Sequence, residues 1–347
     1  MLCRLISLDR PFPGPRNLYM TIFTRGVFVL LLLCILHTGG IAGEVTLVAV
    51  GDVMLGRYVN QRYGGDISLG KIRELLSVAD IAFGNLEACF GDGLTPYQAK
   101  NILLSAPEKS STRLREMGFD VLSLANNHCA DFGPDAIVRT KNILTKNGID
   151  GFGAGENEIE ARSPNISVAG GLKIGFLGYD AGAMRNAAPF VAPLRPAVLT
   201  HDLAALRPKV DFIVVSFHWG KEYSVQPTIE QETIAHSAID SGADMVLGHH
   251  PHVLQRIESY KGKLIVYSLG NFIFDQPGLN TSRSMILQVA IRSRKVVSVQ
   301  VYPVFLEHYL PRVPSDAQAR SIVDDLKSLS VKSLAGKPWA LSWNAWK

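Results

Sequence analysis

Three histidines, His249, His250 and His252, crowd around Pro251 just after a short apolar run, Met245–Leu247. Imidazoles at that density beyond a strand suit the holding of a cation. Other polar residues occupy the same place relative to other apolar runs. Asp52 follows Val45–Val50, Asn85 and Glu87 follow Ile81–Phe83, Asn127 and His128 follow Val121–Leu124, and His218 follows Phe212–Phe217. Singly, each has a plainer reading: Gly51-Asp52 as a turn, Asn85-Leu86-Glu87 as a cap, His218 beside Trp219 as a packed core histidine. Jointly, five strand ends offer carboxylate, amide and imidazole groups, and in open α/β sheets ligands bind beyond the carboxyl ends of the strands. Such a mixed O and N donor set suits Zn, Mn or Fe better than Ca or Mg, which favour oxygen shells. The supply is enough for two ions about 3.5–4 Å apart, an arrangement that activates water and stabilises a phosphoryl transition state.

The elements that must position these groups alternate. Helical spacing over Ile67–Val78, Pro107–Met117 and Pro134–Asn147 separates the first strands, with Pro134 and Gly148 as start and stop signals. From about Asn165 the texture changes to a hairpin, Asn165–Val168 and Lys173–Tyr179 around Gly170-Gly171. Helices over Thr200–Leu206 and Ile229–Ser241 flank the strand Phe212–Phe217. A second hairpin around Tyr260–Lys263 leads to Leu264–Ser268, and strands Met285–Ile291 and Val296–Val304 follow. After Pro311–Pro314 comes a helix, Asp316–Leu329, and a tail, Trp339–Trp346, that packs back or frays. Repeated βα units with hairpins in the second half predict an α/β protein with mixed sheets. One domain is expected over 44–305, with a C-terminal extension over 306–347.

In order and spacing these motifs resemble a known family. Gly51-Asp52-Val53-Met54-Leu55-Gly56-Arg57, Asn85-Leu86-Glu87, Asn126-Asn127-His128-Cys129-Ala130-Asp131-Phe132-Gly133, His218-Trp219-Gly220-Lys221-Glu222-Tyr223, Gly248–His252 and Ser268-Leu269-Gly270-Asn271-Phe272 closely resemble the bacterial CapA-type capsule-synthesis proteins. These are associated with poly-γ-glutamate and belong to the calcineurin-like metallophosphoesterase superfamily. The resemblance covers about Val45 to Asp275. It implies a four-layer αββα metallophosphatase-like sandwich of two mixed sheets. It also implies metal ligands at Asp52, Glu87, Asn127, His218, His250 and His252, with His249 the next candidate and Glu87 bridging. His128 would be the proton donor near the leaving oxygen. Met54 stands where the superfamily has a histidine and is no ligand for a hard metal, so the expectation is one or two divalent ions, Mn, Fe or Zn. Arg57, Lys221 and Tyr223 are candidates to contact an anionic substrate, phosphate or γ-carboxylate; a surface ion pair or a packing tyrosine is the alternative.

Length and composition fit a globular chain: 347 residues, 47% apolar and 19% charged. The first 43 residues carry Arg4, Arg10, Arg16 and Arg25 against Asp9, so removing them lowers the net charge from +4 to +1. That balance gives no reason to expect nucleic acid as a partner. Residues 1–43 read as a secretory signal: Arg25, the apolar run Val27–Leu36, then small residues through Gly43. The run is short for a membrane span, which needs about 20 residues. Met20 is an alternative start, and an uncleaved segment would anchor the domain outside the cytoplasm. A periplasmic or cell-envelope protein is expected either way. Cys3 and Cys34 would leave with the signal, while Cys89 and Cys129 are read as bystanders or an exported disulfide pair.

Two functions follow. One is an exported, metal-dependent phosphoesterase-type hydrolase serving capsule or poly-γ-glutamate synthesis. The other is a non-catalytic envelope accessory that binds or guides an anionic polymer during export, beside synthesis and export machinery. The chain has no Gly-x-x-x-x-Gly-Lys-Ser/Thr loop, so ATP-driven polymerisation would need partners.

Overall fold

The computed structural model describes residues 43–346 except 65, 98, 183–189, 331–332, 339 and 345. The expected signal segment, with Cys3 and Cys34, lies outside the described residues apart from Gly43. Among the described residues no helix is long and apolar enough to cross a membrane.

The chain runs through β1 (Val45–Val53), α1 (Arg57–Tyr63), α2 (Lys71–Ser77), β2 (Ile81–Leu86), β3 (Cys89–Phe90), β4 (Ser105–Ala106), α3 (Ser111–Met117), β5 (Val121–Ser123), α4 (Pro134–Lys146) and β6 (Asp150–Phe152). It continues through α5 (Glu158–Ala161), β7 (Asn165–Ala169), β8 (Leu172–Asp180), α6 (Pro196–Leu206), β9 (Phe212–His218), α7 (Ile229–Asp240) and β10 (Met245–His249). The last elements are β11 (Ile257–Tyr260), β12 (Lys263–Val266), β13 (Asn271–Ile273), α8 (Leu279–Ser282), β14 (Arg283–Arg292), β15 (Lys295–Glu307), β16 (Leu310–Arg312), α9 (Asp316–Ser330) and β17 (Ala340–Trp343).

Two mixed sheets form. A nine-stranded sheet has the order β16-β15-β14-β1-β2-β5-β6, with β13 beside β1 and β17 beside β15, and a six-stranded sheet has the order β11-β12-β10-β9-β8-β7. Strand alternation explains the layers, because successive side chains point to opposite faces. Along β1, Leu47 and Ala49 enter a core shared with Phe176, Val214 and Leu247 of the other sheet. Val48 and Val50 enter a second core with Val59, Ile72, Leu114 and Ile137 of the helices outside. The six-stranded sheet repeats this on its far face, where Ile213, Val215 and Val246 meet Leu203 of α6 and Ala235 of α7. Helices, sheet, sheet and helices make the expected four layers. Strands covered on both faces read as continuous apolar runs, which is why β1, β9 and β10 stand out in the sequence.

Some boundaries differ from expectation. The helix expected over Ile67–Val78 begins only at Lys71, because Gly70 at φ 51° lies outside helical space. The helix expected over Pro107–Met117 divides into a 3-10 turn, Glu108–Ser110, and α3. The tail packs back: Ala340–Trp343 pairs in parallel with β15, and the Trp346 indole donates to Pro303 O at 2.7 Å.

Candidate metal centre

The strand ends meet at one place because neighbouring strands stop in register. Asp52 pairs with Asn85 of β2 and with Asn271 of β13, while His218 pairs with Asp180 of β8 and His249 of β10. Close backbone crossings require glycine at two of these ends. A Cβ on Gly51 would stand 1.8 Å from Gly270 O, and one on Gly248 would stand 1.9 Å from Tyr267 O.

Asp52, Glu87, His218 and His252 are all buried. Asn85 Nδ2 donates to Asp52 Oδ1 at 2.9 Å and to Glu87 Oε1 at 3.2 Å, and lies 3.4 Å from His218 Nδ1. Asn126 holds Asn85 in turn, donating to its Oδ1 at 3.2 Å and to Leu86 O at 2.8 Å. His218 Nε2 lies 3.0 Å from Asn127 Oδ1. His252 Nδ1 lies 3.2 Å from Asp52 Oδ2 and 2.9 Å from Asn271 Oδ1.

Among the described residues two groups of donors could hold a metal ion: Asp52, Glu87 and His252, and Glu222, His250 and His252, each with one donor atom per residue within 4.8 Å of the others. His252 belongs to both. Glu87 Oε2 and His250 Nδ1 are buried with no hydrogen-bond partner among the described residues. Buried polar atoms without partners ask for a bound group, and here two of them lie among carboxylate and imidazole donors. A cation between carboxylate and imidazole donors is the group that fits.

Electrostatics divide the donors. Burial pushes the Glu87 carboxyl well above its usual value, and the Asp52 charge adds to the rise. Burial acts on Asp52 in the same direction, but the hydrogen bond and charge of His252 outweigh it and hold Asp52 below the usual range. His252 is driven down by burial, yet Glu87 and Asp52 prevail and raise it to about 9. Burial and the other histidines depress His218, and burial with His252 lowers His250 to about 4. His218 and His250 are thus held as the neutral imidazoles a divalent ion requires, whereas His252 and Glu87 are shifted toward their protonated forms and would each give up a proton on binding it.

The backbone is strained where it shapes this centre. His250, His252, Tyr223 and Arg57 have φ of 93°, 59°, 65° and 46°, conformations that cost about 1–3 kcal/mol each in non-glycine residues and gather at functional sites. Tyr223 N donates to Pro251 O at 2.8 Å, which brings the loop carrying Glu222 against the histidine cluster.

His128 stands at the edge of the centre. Its Nδ1 lies 2.8 Å from Asp131 Oδ2, so Nε2 is the nitrogen able to exchange a proton with a ligand. Lys100 Nζ donates to Asp131 Oδ1 and to Asn127 O, both at 2.6 Å, and fixes the loop. A cleft of about 310 Å³ lined by Asn127, Asp180, His218, Lys221, Glu230 and His250 opens beside it.

Not every candidate lies where the sequence suggested. His249 turns away: its Nδ1 is 3.4 Å from Ser216 Oγ, its Nε2 is 3.3 Å from Val50 O, and its ring meets Phe83 edge-on. Period-two alternation with Leu247 already puts it on the inter-sheet face. Arg57 Nε pairs with the buried Asp275 at 3.2 Å, so its charge is committed to the fold. Lys221 is exposed and lines the cleft, and Tyr223 is exposed with its ring centre 6.4 Å from that of His252. Met54 is buried and its sulfur accepts from Gly56 N at 3.0 Å. Cys89 and Cys129 are free, buried thiols. Burial pushes Cys89 up to about 12. Glu222, Asn85 and Asp180 join the centre without having been singled out as ligands.

Comparison with known proteins bears on the family and the fold. Residues 46–276 match the family model described as bacterial capsule synthesis protein PGA_cap. The capsule biosynthesis protein CapA of Bacillus anthracis is 34% identical over 312 residues, covering 86% of this chain and 75% of its own. The PGA biosynthesis protein CapA of Bacillus subtilis (strain 168) is 33% identical over 272 residues, covering 76% and 72%. A phosphatase of solved structure from Mycoplasma pneumoniae shares the fold, with a TM-score of 0.51 at 15% identity over 76% of this chain and 94% of its own.

Proposed function

The chain belongs to the bacterial capsule synthesis protein PGA_cap family, and we propose that it is an exported, metal-dependent hydrolase of the phosphoester type serving capsule or poly-γ-glutamate synthesis. The observation that carries this reading is the pair of orphaned buried acceptors, Glu87 Oε2 and His250 Nδ1, within two donor groups that share His252.

In this reading Asp52, Glu87, Asn127, His218, His250 and His252 hold one or two ions of Mn, Fe or Zn, and Glu222 completes the second group. Bound there, the metal supplies Lewis acidity that activates water and neutralises phosphoryl charge. The chain's own work is positional. Asn85 orients Asp52 and Glu87 through its amide. Asp131 fixes the His128 ring, and His128 gives its Nε2 proton to the departing alkoxide oxygen. Lys221 and Tyr223 meet the anionic substrate at the rim, while Arg57 supports that rim through Asp275. Residues 1–43 direct the chain to the periplasm or cell envelope, by a cleaved signal or as an anchor, where envelope synthesis or export machinery would be its partner.

The test is hydrolysis of a panel of phosphomonoesters and phosphodiesters by protein reconstituted with Mn, Fe(II) or Zn. Turnover by the wild type that is lost in Glu87→Ala supports the reading. Metal-loaded wild type that hydrolyses none of them contradicts it, and would move the role to non-catalytic binding of an anionic polymer.

A further inference from the structure

An apolar path leads away from the metal centre. Tyr223, whose ring centre lies 6.4 Å from that of His252, forms one wall of a shallow depression with Val253, Leu279 and Asn280. Val253 and Asn280 also border a second hollow of about 270 Å³ between Val225 and Leu329 of the C-terminal helix α9, floored by the buried core residues Ile322 and Leu326. Along this path Tyr223, Val225 and Leu279 are 54%, 42% and 62% exposed. Single exposed apolar residues are ordinary, but Tyr223 beside His252 and two hollows that share Val253 and Asn280 put apolar surface next to the polar centre, the anatomy of a ligand site.

The cavity offers little to a polar ligand. Its cation, Arg283, is bound to Asp325 and donates to Ser321 Oγ at 2.8 Å, so the two charges neutralise each other within the wall. A sugar or a polyanion would find few partners there, whereas methylene groups would find the accessible Val225 and Leu279 and the half-buried Leu329 of α9.

We propose that this groove receives the apolar chain of an anionic amphiphile whose phosphate group sits at the metal centre, so that the substrate class is an alkyl or isoprenoid-type phosphate ester. The inference rests on the phosphoester reading above and narrows it. The headgroup is held at Glu222, His250 and His252, and the chain passes Tyr223 and Leu279 to reach α9.

Titration calorimetry of the metal-loaded full chain with methylphosphonate and octylphosphonate, which share a headgroup and are not hydrolysed, tests this. The octyl ligand is expected to bind roughly ten- to hundredfold more tightly, the gain from removing several methylenes from water. In Leu279→Asp and Val225→Asp, both at exposed positions that the fold tolerates, the ratio of the two affinities is expected to fall toward one. Equal affinities in the wild type would overturn the groove assignment while leaving the metal centre standing. Binding of neither ligand by metal-loaded protein would overturn the groove and the phosphoester reading together.

Discussion

Asp52 Oδ2 lies 3.2 Å from His252 Nδ1, a contact that joins the end of β1 in one sheet to the loop after β10 in the other. The centre is therefore a seam between the two sheets, and its ligands depend on how the sheets' edges are held. Four consequences can be measured.

Replacing His128 separates chemistry from metal binding. His128 is held by Asp131 and is absent from both donor groups. His128→Ala is expected to lower turnover roughly 10²–10⁴-fold, the usual contribution of a positioned acid, with metal content unchanged. Loss of metal from this variant would make His128 a ligand and end its assignment as proton donor.

Glu222 tests whether a second ion is held. It shares a donor group with His250 and His252 but not with Asp52 or Glu87. If the wild type binds two equivalents, Glu222→Gln is expected to reduce bound metal toward one, read by metal analysis after dialysis. Full retention of both equivalents would exclude Glu222 from the shell.

Gly248 fixes the approach of β10 to its neighbour. A Cβ there would stand 1.9 Å from Tyr267 O and 2.7 Å from Trp219 Nε1, two atoms already hydrogen-bonded to each other at 3.0 Å. Gly248→Ala is expected to lower stability by about 2 kcal/mol or more in denaturant unfolding. A change within about 0.5 kcal/mol, as at an ordinary surface site, would mean that the strand end yields readily.

Far from the centre, Asp202 gives a pH-dependent contribution to stability. Burial acts to raise its pKa, but bonds from Arg162, His201 and Tyr179 outweigh burial and lower it. Arg162 Nη2 donates to Asp202 Oδ1 at 2.6 Å and Tyr179 Oη donates to Oδ2 at 3.0 Å. A carboxylate depressed in the folded state stabilises the protein above its unfolded pKa of about 3.9, and that contribution is lost as pH falls through the folded value. Asp202→Asn is expected to be less stable than wild type by about 1–3 kcal/mol at pH 7, with the gap narrowing below about pH 4. A gap independent of pH would show that the lost contacts, not the charge, account for it.

Much of the centre was legible because the buried strands are mostly apolar, so that a polar residue at or just beyond the end of one is conspicuous. Asp52, Glu87, His250 and His252, which the structure gathers into donor groups, stood out in that way, as did Asn127 and His218 beside them. Glu222 did not, since it lies in an exposed loop and reaches the histidines only through the Tyr223–Pro251 backbone bond. Asp180 was hidden at the end of β8, within a segment that reads as a hairpin, and its level beside His218 is set by strand register. Helix α1 is too short for its pattern to emerge, with Val59 its one buried residue. Arg57 shows the converse limit: its charge and position suggested a substrate contact, but a buried carboxylate distant in sequence, Asp275, claims it.

The most direct measurement of the central claim is metal analysis of purified protein beside an Asp52→Ala, Glu87→Ala double variant. One or two equivalents of Mn, Fe or Zn in the wild type, lost in a variant that still folds, is the expected result. Wild-type protein that takes up no metal at neutral pH, even after reconstitution, would contradict the account.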